Sequence, residues 1–152
     1  MLKSIFDYFN SHLLPDAAAT AQEMETQLRA AVAALLFEIA ASDFDQAPEE
    51  KAEILAAIEN HFHLDEAAAR ELMRLGEREH AASTDYFQFT SLINKHYSAE
   101  QKVRLIEALW RVAFADQKLH QYEEHVIRRL SELLYVPHRD FIAAKLRMIK
   151  SF

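Results

Sequence analysis

Asp116 and Glu123 stand seven positions apart, and so do Asp43 and Glu50. Carboxylates at that spacing, set across a turn between two helices, can supply oxygen ligands to a hard cation such as Ca²⁺ or Mg²⁺. Turn carbonyls and the orphan C=O groups of a helix end would complete the shell. Asp45 adds a third carboxylate to the first turn, where the second has Lys118. His120 and His125 flank Glu123 and would make the second turn a mixed nitrogen and oxygen site suited to Zn²⁺. The candidate metal ligands are therefore Asp43, Asp45, Glu50, Asp116, His120 and Glu123. The same residues also have a purely local use, since Asp folds turns through its side chain and Glu is favoured in the first turn of a helix. An EF-hand is excluded: counting Asp43 as the first ligand, the sixth position is Pro48 rather than Gly and the twelfth is Ile54 rather than Glu.

The two acidic stretches read as copies of one sentence. Asp43 to Asp116 and Glu50 to Glu123 share an offset of 73, which also lays Phe37 on Trp110, Ala40 on Ala113 and Ile54 on Ile127 without a gap. In each copy an apolar helix runs into an aspartate, crosses a polar turn and re-enters a helix opened by glutamates. An aspartate at a helix C-terminus faces the negative end of the macrodipole. That mild cost is accepted twice, at matched positions.

The elements that must position these residues are helices. The 152 residues are 51% apolar with one Gly and three Pro, no segment alternates as a half-buried strand, and good helix formers dominate. The expected fold is all-α, a compact bundle of about seven helices built from two pseudo-repeated three-helix units, about 24–79 and 98–150, plus an N-terminal amphipathic helix. Leu2, Ile5, Phe6, Phe9, Leu13 and Leu14 mark that first helix, and Pro15 to Thr20 read as its tether, so residues 1–20 form an appendage to a domain at 21–152.

Local signals divide the domain. Thr20 to Glu23 matches a capping box, and Leu28, Val32, Leu35, Leu36 and Ile39 make a buried stripe after it. Pro48 opens a second helix with Ile54, Leu55, Ile58 and Phe62 inward, and Asp65 caps a third at 66–79 with Leu72, Met73 and Leu75 inward. Gly76 marks either the end of that helix or a close helix contact. Tyr86, Phe87, Phe89, Leu92 and Ile93 make the connector too apolar for an exposed linker. Ser98 to Gln101 is a second capping box, before a stripe of Val103, Ile106, Leu109, Trp110 and Ala113. Helix 121–134 buries Val126, Ile127, Leu130, Leu133 and Leu134, and a last helix near 138–150 buries Phe141, Ile142, Leu146 and Ile149.

Other chemistries are poorly supported. A formal charge of −7 without a basic stripe argues against nucleic acid. The absence of Cys excludes disulfides, thiolate catalysis and sulfur-ligated zinc, and fits a reducing cytoplasm. No run approaches the ~20 apolar residues that span a bilayer, and no secretory signal is read at the N-terminus. Ser, His and Asp occur without a motif that joins them, and one glycine cannot build a phosphate-cradling loop. His61 and His63, two apart, cannot share one face of a regular helix and read as a polar helix end. Nothing points to an enzyme.

The segments Ala113-Phe-Ala-Asp116-Gln-Lys-Leu-His-Gln-Tyr-Glu123 and Ala40-Ala-Ser-Asp43-Phe-Asp45-Gln-Ala-Pro-Glu49-Glu50 resemble the repeated signature of the tellurite-resistance TerB-like domain, over roughly residues 24–150. This sequence carries Phe44 and Gln117 where the family's pattern has a small residue after the aspartate. The resemblance implies a compact helical, non-catalytic domain with an acidic metal-binding face, to which Asp43, Glu50, Asp116 and Glu123 correspond. It also implies a role in stress responses of the tellurite-resistance kind. The expected function is a cytoplasmic module that binds a divalent cation (Ca²⁺, Mg²⁺ or Zn²⁺) and a protein partner. The alternative is a structural protein–protein interaction domain without metal, homodimeric through residues 2–14.

Overall fold

The computed structural model describes residues 21–41, 48–83, 85–115 and 121–150. Seven helices account for nearly all of them: α1 (Ala21–Ala41), α2 (Pro48–Phe62), α3 (Glu66–Ala82), α4 (Phe87–His96), α5 (Ala99–Ala113), α6 (Gln121–Leu133) and α7 (His138–Lys150). No strand occurs among the described residues. The expected N-terminal helix and its tether lie outside them.

Local chemistry sets the helix ends. Asp65 accepts a 2.8 Å hydrogen bond from the Ala68 N–H at the start of α3. Ser98 and Gln101 form a reciprocal capping box at the start of α5: Gln101 N–H donates to Ser98 Oγ and Ser98 N–H donates to Gln101 Oε1. The connector is a packed helix, as its apolar content required. α2 ends on His63 at φ 55°, with Leu64 N–H reaching back to the Glu59 carbonyl, and α6 ends the same way on Tyr135 at φ 58°. This six-to-one closure normally takes glycine, so both side chains are held in the left-handed region at a cost of ~1–2 kcal/mol each.

α1 lies at the centre, packed on α3 most extensively and also on α2, α4, α5 and α6. The sequence suggested a one-sided stripe, but Ala30 to Phe37 are all buried around the whole circumference. A helix apolar on every side is an interior helix. Its alanines let neighbours approach closely: a Cβ built on Gly76 of α3 would fall 2.5 Å from the Ala33 Cβ. The Gly76 position is thus a close helix contact. α5 is the second interior helix, packed on α7, α2, α1 and α6 around the fully buried Trp110.

Three expected core residues face outward. Leu146 and Ile149 of α7 are 52% and 40% exposed, and Phe87 of α4 is 65% exposed. α7 is oriented by Phe141, whose ring centroid lies 5.2 Å from that of Trp110, and by Ala144 one turn on. At about 100° per residue, Leu146 and Ile149 then fall well round the helix from the buried edge. Ile142, Leu55, Phe62, Met73, Leu75 and Val103 are half-buried at the margin of the core, as are Leu28 and Leu133.

Candidate functional site

Asp43, Asp45, Asp116 and His120 lie outside the described residues, so the assembly of the two acidic turns is fixed here only by the helices that flank them. α1 ends at Ala41 and α2 opens at Pro48; α5 ends at Ala113 and α6 opens at Gln121. Glu50 and Glu123 each take the third position of their helix. At that position a carboxylate meets the positive end of the macrodipole and can reach back to the cap N–H.

Glu123 is fully buried, with 0% of its surface exposed, and is held in an interaction within the protein. A carboxylate withdrawn from water to that degree needs strong compensation, by hydrogen bonds or by a cation. The neighbouring Glu124 is half-buried and accepts a 2.8 Å bond from Lys145 Nζ of α7. That ammonium also lies 5.5 Å from the Trp110 ring centroid. A concave surface of about 540 Å³, lined by Gln121, Tyr122, Glu124, His125 and Arg128, runs along the first turns of α6. His125 is exposed. Among the described residues, no three His, Asp or Glu side chains are placed to hold a metal ion together.

Two polar constellations were not legible in the sequence, because their members are far apart along the chain. Glu38 of α1 and His80 of α3 meet at 2.7 Å and line a cleft of about 330 Å³ with Tyr86, Phe87 and Arg129. Phe89 contributes to the wall of that cleft from the core, whereas Trp110 is buried in the core away from it. The second constellation joins His61 of α2 to Tyr97, Nε2 to hydroxyl at 2.8 Å. Burial holds the His61 imidazole down to a pKa of about 4, with further depression from Arg104 and His63. Burial likewise pushes the Tyr97 phenol above its ordinary range, opposed by Arg29 and Arg104.

The His61 shift has a pH consequence. Folded His61 stays neutral down to about 4, while in the unfolded chain it takes a proton near 6.5. Its contribution to stability is therefore complete above pH 6.5 and is lost as the pH falls toward 4, by roughly 2–3 kcal/mol. Urea unfolding at pH 7, 6 and 5 should show a steeper loss for the wild type than for His61→Gln, which lacks that imidazole and shares every other titrating group with it. Parallel pH profiles would contradict this.

Seven described helices, five of them packed around the two interior ones and none long and apolar enough to cross a membrane, define a compact all-α bundle carrying acidic helix openings. The chain matches the family described as Tellurite resistance protein TerB over residues 29–146, a span that includes both acidic turns. It belongs to the TerB family. No curated protein and no solved structure is significantly similar to it.

Proposed function

We propose that this chain is a non-catalytic TerB module of the cytoplasm that binds a divalent cation through its duplicated acidic turn and acts with a protein partner in a stress response of the tellurite-resistance kind. The ligands in this reading are Asp43, Asp45, Glu50, Asp116, His120 and Glu123. The observation that carries it is Glu123, a fully buried carboxylate at the third position of α6, matched by Glu50 at the third position of α2. Membership of the family supports it independently. The two turns would belong to two pseudo-repeated units. In support, α1 packs on α2 and α3 as α5 packs on α6 and α7, and α2 lies on α5 as α6 lies on α1.

Thermal unfolding of metal-stripped protein with Ca²⁺, Mg²⁺, Mn²⁺ or Zn²⁺ tests the proposal. At a hundredfold excess over the dissociation constant, the cation stabilises the fold by about 2.7 kcal/mol. For a chain of this length that is a rise of about 5–11 °C in Tm. The rise should vanish in the Asp43→Asn/Asp116→Asn double variant. No shift with any of the four ions would leave the acids as turn and cap residues. The second reading, an interaction domain without metal, would then stand; the exposed Leu146 and Ile149 on one side of α7 favour it.

A further inference from the structure

We propose that the cleft between the C-terminal end of α2 and the outer face of α5 binds a small oxyanion of the phosphate class. The cleft encloses about 240 Å³, and its walls include Asn60, His61, His63, Arg104 and Arg111. At ~30 Å³ per liquid water it has room for a tetrahedral anion with part of its hydration shell. Ala57 of α2 and Ala108 of α5, both buried, line it opposite one another, so the helices leave space that larger side chains would fill.

The donors converge for reasons of geometry. Arg104, Glu107, Ala108 and Arg111 follow the i, i+3, i+4, i+7 spacing and lie on one face of α5. His61 and His63 were expected not to share a helix face, and within a regular helix they could not. α2 stops at Phe62, however, and the left-handed turn at His63 brings both imidazoles to the same cleft. Histidine there accepts strain that glycine would avoid, and non-glycine residues in such conformations concentrate at binding sites.

The charge balance favours an anion even though the whole chain is acidic. The carboxylate in the cleft wall is already committed: Glu107 accepts two bonds from Arg147, at 3.2 and 2.8 Å. Glu53, outside that wall, accepts from Arg111 Nε. Among the described residues, Glu53 is the hydrogen-bond acceptor of Arg111, through Nε, and no acceptor stands at its terminal guanidinium nitrogens. Arg104 stands 3.9 Å from the exposed Glu100, beyond hydrogen-bonding distance. Among the described residues, Asn60 and His63 make no side-chain hydrogen bond. Burial is the main cause of the depressed basicity of His61, and the smaller contributions of Arg104 and His63 come from the positive charge at the same cleft. The C-terminal carbonyls of α2 oppose an anion, but the Glu59 carbonyl is occupied by Leu64 N–H. Planar guanidinium donors recognise phosphate in paired bonds and outweigh the partial charge of a helix end.

The test is titration of the full chain with inorganic phosphate at constant ionic strength in chloride, followed by histidine side-chain NMR and by calorimetry. Saturable binding is expected, with shifts centred on His61 and His63. Arg104→Gln, which removes an exposed side chain outside the core, should weaken binding at least tenfold. Arg74→Gln, an exposed arginine on α3, should leave it unchanged and serves as the control for general charge. A parallel titration with O-phosphoserine distinguishes free phosphate from a monoester by which binds more tightly. Absence of saturation at tens of millimolar of either probe would overturn the proposal. So would equal weakening in the two variants, or an undiminished affinity in Arg104→Gln.

Discussion

Replacing Trp110 by alanine should cost about 3–5 kcal/mol, the range for emptying a buried aromatic site. Trp110 is fully buried, its ring centroid 5.2 Å from that of Phe141 and 5.9 Å from that of Phe114. Through those rings it joins α5 to α7, and Lys145 runs past it to pair with Glu124 at the start of α6. The Tm should fall by about 6–20 °C. Any cation-dependent stabilisation should weaken as well, because the first turn of α6 loses the packing behind it. Trp110→Phe should cost far less, below about 2 kcal/mol. It keeps a ring in the site and removes an indole N–H that has no acceptor among the described residues. Denaturant midpoints decide this: an alanine variant within 1 kcal/mol of wild type would mean that the site collapses around the loss.

Gly76→Val should destabilise by more than about 3 kcal/mol, and Gly76→Ala by less but in the same direction. Helix propensity alone predicts the opposite for alanine, a gain of about 1 kcal/mol over glycine. Contact geometry decides otherwise. Beyond the Ala33 Cβ, an added Cβ meets the Ala33 carbonyl carbon at 3.0 Å and the Ala34 nitrogen at 3.2 Å. Those two are backbone atoms, so α1 and α3 must separate rather than a side chain rotate. A double-mutant cycle isolates the contact. Ala33→Gly with Gly76→Ala should recover part of the loss, since it removes the 2.5 Å clash and leaves the backbone ones. A Gly76→Ala variant more stable than wild type would show that the two helices have slack here.

Much of this protein could be read from its residues in order. Helix content follows from one glycine among 152 residues and long runs of Ala, Leu, Glu and Arg. The starts of α3 and α5 follow from Asp65 and from the Ser98–Gln101 box, each a hydrogen bond within four residues of the cap. Pro48 and Pro137 mark the starts of α2 and α7 by the same local logic. The TerB resemblance was legible because the acidic turns are contiguous motifs, repeated at one spacing.

Tertiary structure decided what depends on partners distant in sequence. Periodicity put Phe141, Ile142, Leu146 and Ile149 together on the buried side of α7, but the Trp110–Phe141 contact sets which side packs inward and turns Leu146 and Ile149 outward. The stripe of α1 told nothing of the neighbours that enclose its other side. Glu123 is an ordinary first-turn glutamate by its spacing; only the packing of the helices around α6 takes it wholly out of water. His61, His63, Arg104 and Arg111 are separated by up to 50 positions and meet because α2 lies across α5. Capping and amphipathic spacing act over one or two turns, so a sequence displays them directly. Burial of a charge and convergence of a cleft are sums over several helices, and their values exist only once those helices have packed.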